Sequence, residues 1–237
     1  MTQDILNELK KDLKGKEIGY NRNSIPSRYN TEQNYKKRYK GREILELIQN
    51  AEDANASELV FELNKEKQKI IISNNGENFS LNGYRSLLYP NISSKPKGVF
   101  IGQKGLGFRA LINWAKEISI LSNNLKITFS EEISNRLLDS LKKNYPEMKD
   151  ITNMEFLSIP KIEEIQNYST GVTIELVYNE KIDFEQQFSA IDQECFFFLK
   201  NLKSIKTQSF SINKADLNNI VIKEITEKLP DIYYEKD

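Results

Sequence analysis

The chain of 237 residues contains no histidine and a single cysteine, Cys195. Without histidine, Ser-His-Asp and Cys-His catalysis, imidazole-ligated metals and a phosphohistidine relay are excluded. One cysteine permits neither an intrachain disulfide nor a cysteine-built zinc site. Cys195 lies in the apolar run "CFFFL", which reads as a packed, inert thiol rather than a nucleophile. Charge of one sign is also lacking: Lys plus Arg number 34, and so do Asp plus Glu. No global field therefore draws the chain to nucleic acid or to an anionic membrane. No apolar run approaches the ~20 residues that span a bilayer. The start, "MTQDILNELKKDLKGKE", has neither the basic opening nor the apolar centre of a signal peptide. A cytoplasmic location without a membrane partner is expected. Any chemistry falls to carboxylates, amides, backbone N–H groups and a hard metal ion.

What is present suits a globular protein: 38% hydrophobic and 29% charged residues, with enough length for one large domain or a domain with an appendage. Ile5, Leu6, Leu9 and Leu13 are helically spaced, so residues 2–13 predict a short N-terminal helix, followed by a loop over "GKEIGYNRNSIPSRYN". A long helix is expected from Thr31 to Ala54. "SELVFELN" and "KQKIIIS" predict a β-hairpin, and Ser80 is placed to cap a short helix through Leu88. Residues 89–107 read as a long loop, then a helix at 108–115 and strands near 117–122 and 125–129. Residues 130–168 predict one helix and a strand, "MEFLSI". "GVTIELVY" is a strand, "AIDQECFFFLKNL" a helix with Phe196–Phe198 in the core, and "KSIKTQ" and "NIVIKEI" are strands. Helices and hairpins mix without βαβ regularity, which predicts an α+β, two-layer sandwich whose mixed, mainly antiparallel sheet carries helices on one face.

Three stretches carry possible chemistry. In "ELIQNAEDANA" (46–56), Glu46, Asn50 and Asp53 fall in one polar strip of a helix while Leu47, Ile48, Ala51 and Ala54 point away. In "IISNNGENFS" (71–80) a strand delivers Asn74 and Asn75 to a glycine turn, though an Asn-Asn-Gly turn is ordinary hairpin chemistry. In "GVFIGQKGLGFRAL" (98–111), Gly102, Gly105 and Gly107 precede a helix start, and Lys104 adds positive charge. Permissive dihedrals followed by free helical N–H groups make an anion site. A P-loop string is absent. Gly105-x-Gly107-x-x-Ala110 imitates a dinucleotide fingerprint but lacks parallel βαβ surroundings. A glycine-permitted turn is the bland alternative. The basic cluster "KKRYKGR" (36–42) reads as a solvated face, with nucleic-acid contact the rival reading.

The order E-x-x-x-N-x-x-D-A, N-G-x-x-F, I-G-x-x-G-x-G-F resembles the GHKL superfamily of ATPases, which includes gyrase, large heat-shock chaperones, histidine kinases and mismatch-repair ATPases. "ELIQNAEDANA", "NNG", "SSK" at 93–95, "IGQKGLGF" and "FFFLKNLKSIKT" are most similar to its sacsin-like branch. The resemblance covers residues 30–207, with 1–29 as an N-terminal helix and loop and 208–237 as an extension. It implies ATP and Mg²⁺ as ligands. Glu46 would be the general base, and Asn50 would ligate Mg²⁺ and help hold the phosphates. Asp53 and Ala54 would line the nucleoside pocket beside Asn74, Gly76 and Phe79. Gly102, Gln103, Lys104, Gly105, Leu106, Gly107 and Phe108 would wrap the triphosphate as a lid. Two positions depart from the pattern. Asn74 stands where many members have aspartate, and Gly171-Val172 replaces a Gly-Thr pair, so the hydroxyl must come from Thr170 or Thr173, with Thr173 preferred. The expected function is a slow Mg²⁺-dependent ATPase that drives a conformational or assembly switch, together with further domains or a partner protein. The alternatives are a nucleotide-binding module without turnover and the ATPase of a nucleic-acid-linked repair or defence machine. A complete sensor kinase is excluded, since there is no histidine to phosphorylate.

Overall fold

The structure is a computed structural model that describes residues 2–89, 107–166, 171–179, 181–189, 191, 193–208 and 210–214. Alternating apolar residues make the strands. Leu59 and Phe61 in β1 (Glu58–Asn64), Ile70 and Ile72 in β2 (Lys69–Asn74), and Val172, Ile174, Leu176 and Tyr178 in β6 (Val172–Tyr178) are buried while their neighbours are not. That period of two commits one sheet face to the core. Between them in the chain come β3 (Ala115–Ser122), β4 (Leu125–Ser130) and β5 (Lys161–Glu164), and after them β7 (Ser204–Lys206) and β8 (Ser211–Asn213). The eight form one sheet in the order β5-β4-β3-β6-β2-β1-β7-β8, antiparallel throughout except for the parallel pair β1–β7. The register lines up Phe61, Ile72, Ile174, Ile120, Ile127 and Ile162 across six strands.

The helices pack on that face. α1 (Thr2–Ile18) contributes Leu6 and Leu9, α3 (Glu43–Asp53) Leu47, Ile48 and Ala51, α4 (Leu81–Leu88) Tyr84, Leu87 and Leu88, and α6 (Phe184–Ser189) Phe184 and Phe188, all in one core cluster with the strand residues. α2 (Ser24–Tyr39) and α5 (Glu131–Asn144) lie in a second cluster, where Ile25 meets Leu138 and Leu141. The other sheet face is polar: Glu175 sits between Lys69 at 3.0 Å and Lys126 at 3.1 Å. The expected α+β sandwich is the observed one. Among the described residues no helix is long and apolar enough to cross a membrane.

Several local expectations fail, each for a physical reason. The helix expected over 31–54 is two helices, because Lys40 is extended and Gly41 takes φ +81°, a left-handed conformation that ends α2. The loop expected over 15–30 is largely helical: α1 continues to Ile18 and α2 starts at Ser24, where Asn21 Oδ1 accepts from the N–H groups of Asn23 and Ser24 at 3.0 and 2.9 Å. Pro26 falls in the first turn of α2, where a missing N–H costs nothing. "MEFLSI" belongs to no strand, although it is buried. Its backbone is held by side chains: Glu32 accepts from the N–H groups of Phe156 at 2.6 Å and Leu157 at 3.0 Å, and the Lys16 ammonium donates to the carbonyls of Leu157 at 2.6 Å and Ser158 at 2.9 Å. The strand is the following "KIEE" instead. Residues 193–198 make a short 3-10 turn that buries Phe196 but leaves Phe197 and Phe198 55% and 80% exposed. The helix expected at 108–115 is a 3-10 turn, Gly107–Asn113. "NIVIKEI" lies outside the described residues.

Candidate functional site

α3 is amphipathic, and its apolar face fixes where the polar strip points. Leu47, Ile48 and Ala51 are 3%, 4% and 0% exposed, which turns Glu46, Asn50 and Asp53 to a common side. That side is only partly withdrawn from solvent. Glu46 is buried, while Asn50 and Asp53 are half-buried. Burial raises the Glu46 carboxyl above its ordinary value, and Arg42, whose Nη2 lies 3.5 Å from Glu46 Oε1, opposes the rise. The Asn50 side chain has no hydrogen-bond partner among the described residues.

The glycine turn after β2 docks on the end of this helix. Glu77 N donates to the Ala54 carbonyl at 2.7 Å, and a Cβ on Gly76 would lie 2.3 Å from the same oxygen. Only glycine allows that approach. Asn74 Oδ1 accepts from Gly76 N at 3.1 Å, which closes the turn; an amide oxygen retains a second lone pair. Asn75 ties the α3–β1 link to the end of β2. Its Oδ1 accepts from the N–H groups of Ser57 and Glu58 at 2.9 and 3.0 Å, and its Nδ2 donates to Ser57 Oγ at 2.8 Å.

Further along, Phe79 N donates to Ser122 Oγ at 3.1 Å, Asn123 Nδ2 donates to the Phe79 carbonyl, and the Phe79 and Tyr84 rings lie 5.2 Å apart. Gly171 enters β6 at φ +86°, and a Cβ there would lie 2.0 Å from the Asn74 carbonyl. Its own carbonyl accepts from Ser122 Oγ at 3.1 Å. Ser122, Asn123 and Gly171 therefore shape this corner, and the sequence singles out neither Ser122 nor Asn123. Their one visible signal is the "SNN" turn between two strands, which marks a hairpin and no more.

The structure thus brings Glu46, Asn50 and Asp53 onto one helix with Ala54 as its cap and sets Asn74 and Gly76 at its end, while Phe79 packs against Ser122, Asn123 and Tyr84. Thr173 is elsewhere. It alternates with the buried Val172 and Ile174 and so points to the sheet face away from the helices, paired with Ser73 and Leu121. Phe108 is 5% exposed within the main core, and the turn that carries it packs against α3, where Asn113 Nδ2 donates to Glu43 Oε1 at 3.1 Å. Gly107 opens that turn; Gly102, Gln103, Lys104, Gly105 and Leu106 lie outside the described residues. Lys37, Arg38 and Lys40 of the basic cluster are exposed. Glu52, on the buried side of α3, holds the chain ahead of β7: its carboxylate accepts from the N–H groups of Lys200, Asn201 and Leu202 at 2.8, 3.0 and 2.9 Å.

No protein-family model matches the chain, and no curated protein matches it either. Among the described residues no group of three or more Cys, Asp and Glu side chains could hold a metal ion by itself.

Proposed function

We propose that the chain binds ATP with Mg²⁺ beside α3 and the Gly76 turn and hydrolyses it slowly, as a GHKL-type ATPase that drives a conformational or assembly switch. The observation that carries this reading is the state of the α3 strip. A solvated helix face leaves its glutamate exposed. Glu46 is 5% exposed and paired with Arg42, and Asn50 is left without a hydrogen bond among the described residues. A carboxyl withdrawn from water beside a half-buried amide with no partner among the described residues leaves both groups available to a ligand.

The chemistry is consistent with the residues. A carboxyl raised by burial is a stronger base than a solvated one and is better suited to draw a proton from water. Residues four apart on a helix are neighbours, ~5–6 Å between Cβ atoms, so one water can lie within reach of both Glu46 and a group held by Asn50. Mg²⁺ keeps most of its shell as water and phosphate oxygens and takes few protein ligands, which suits the lone amide of Asn50. The metal, when bound, would neutralise phosphate charge. Asn74 and the backbone of Gly76 and Ala54 would meet the base, with Asn74 Oδ1 offering its remaining lone pair to an amino group.

The test is a calorimetric titration with ATP, with and without Mg²⁺, on the wild type and on Asn50→Ala. Magnesium-dependent binding that is lost in the variant supports the site. Absence of ATP binding to the folded wild type overturns it. Equal hydrolysis by the wild type and Glu46→Gln would remove Glu46 as the base, and binding without hydrolysis by the wild type would remove the ATPase.

A further inference from the structure

Four charged side chains outside the α3 strip are buried together. Lys16, Glu32, Arg109 and Glu155 are 2%, 3%, 3% and 4% exposed, and they converge from α1, α2, the turn after Gly107 and the irregular segment 154–158. Part of this cluster is architecture. Glu32 and Lys16 hold the backbone of 156–158, Glu155 Oε1 accepts from Tyr20 OH at 2.8 Å, and Arg109 Nη2 donates to the Leu87 carbonyl at 2.9 Å. Two atoms are left over. Arg109 Nε and Glu155 Oε2 are buried and have no hydrogen-bond partner among the described residues. Native structures seldom leave such atoms unpaired.

Both residues line one cavity of about 260 Å³, which Lys16, Glu32 and the half-buried Arg28 and Tyr35 also line. Its size is below that of drug-sized pockets but ample for a molecule of a few carbons. Its charge leans positive near pH 7, with Arg28 and Arg109 fully charged and Lys16 partly charged, against the carboxylates of Glu32 and Glu155. A neutral water molecule in the cavity would not offset that excess. The closest approach of Arg109 to Glu32 is 4.0 Å and that of Lys16 to Glu155 is 3.8 Å, so neither pair is tight. Removal from water is the chief reason that the Lys16 ammonium is lowered to about 7; Arg109 and Arg28 add to the shift, while Glu155 and Glu32 oppose it.

We infer that this cavity binds a small oxyanion-bearing molecule, a carboxylate or phosphate that also carries a hydroxyl or amino group. Its anionic end accepts from Arg109 Nε and the Arg28 guanidinium. Its donor end meets Glu155 Oε2. The walls come from α1, α2, the end of α4, the turn after Gly107 and 154–158, and none of Glu46, Asn50, Asp53, Asn74 and Gly76 lines them.

Thermal unfolding of the full chain, followed by calorimetry, tests this with inorganic phosphate, glycerol 2-phosphate, acetate and glycolate, each against sodium chloride at equal ionic strength. A saturable rise of the unfolding midpoint with one of these probes is expected. The stronger pair identifies the anion as phosphate or carboxylate, and the hydroxylated probe should exceed its simpler counterpart. Arg109 is too deeply built in for a clean variant, but Arg28 is half-buried, and Arg28→Gln should weaken binding about tenfold. Asn50→Ala should bind as the wild type does. The inference is overturned if no probe exceeds chloride, if Arg28→Gln binds as tightly as the wild type, or if Asn50→Ala abolishes the effect. Equal binding of glycolate and acetate, and of the two phosphates, would overturn the role of Glu155.

Discussion

Replacing Gly76 by alanine tests how closely the candidate site is packed. The added methyl would sit 2.3 Å from the Ala54 carbonyl oxygen, against an ordinary carbon–oxygen contact of ~3.3 Å or more. The turn must therefore retreat by roughly 1 Å. The Glu77 N to Ala54 O bond, now 2.7 Å, then passes beyond bonding reach. A surface-accessible backbone bond lost contributes about 1 kcal/mol, and the forced backbone shift adds about 1–3 kcal/mol. A total near 3 kcal/mol lowers the unfolding midpoint of a domain this size by about 6–12 °C. Gly15→Ala is the control: nothing lies within 4 Å of its added Cβ, and the site is within α1. Helix propensity alone should stabilise that variant by about 0.5–1 kcal/mol. Thermal unfolding by circular dichroism measures both. A Gly76→Ala midpoint within about 1 °C of the wild type would refute the close docking of the turn on α3.

Other perturbations follow the same reasoning. Burial alone would raise the Glu52 carboxyl, but the N–H groups of Leu202, Asn201 and Lys200 outweigh it and hold the group below its ordinary value. Its contribution is therefore present above pH 4.5 and is lost as pH falls through the lowered value, so Glu52→Gln should cost about 2 kcal/mol near pH 7 and little in acid, as urea unfolding at the two conditions would reveal. Glu46 has the opposite sign. Its raised carboxyl stabilises the fold below the ordinary value and loses that contribution as pH rises through the folded one. Glu46→Gln should accordingly gain on the wild type in mild alkali and match it in acid, while ATP binding persists and hydrolysis disappears in a phosphate-release assay. Phe196→Ala should cost about 3–5 kcal/mol and Phe198→Ala under about 0.5 kcal/mol, because Phe196 is wholly buried and Phe198 is 80% exposed; equal losses would contradict the 3-10 turn.

Much of this was legible in the chain itself, because the signals are local. Alternation in "LVFEL", "KIIIS" and "VTIELVY" makes strands of β1, β2 and β6, and Ser80 caps α4 by accepting from Gly83 N at 3.1 Å. The period of 3.6 in "ELIQNAED" placed Glu46, Asn50 and Asp53 on one side of α3. The absence of histidine alone excluded whole classes of chemistry. Other features had no local signal. Phe196–Phe198 looks uniformly apolar, yet a 3-10 turn faces its members in different directions. "MEFLSI" has a strand's composition, but its backbone bonds go to Glu32 and Lys16, 124 to 142 residues away. Gly41, Gly76 and Gly171 are each a plain glycine in sequence. Gly41 ends a helix, while the other two touch a backbone carbonyl from another part of the chain. Sequence determined the elements and the polar strip through short-range periodicity and capping. Tertiary structure alone decided that Glu46 of the strip would be buried, that Gly76 would meet Ala54, and that four buried charges would surround one cavity, since each depends on contacts between distant segments, which no short-range pattern encodes.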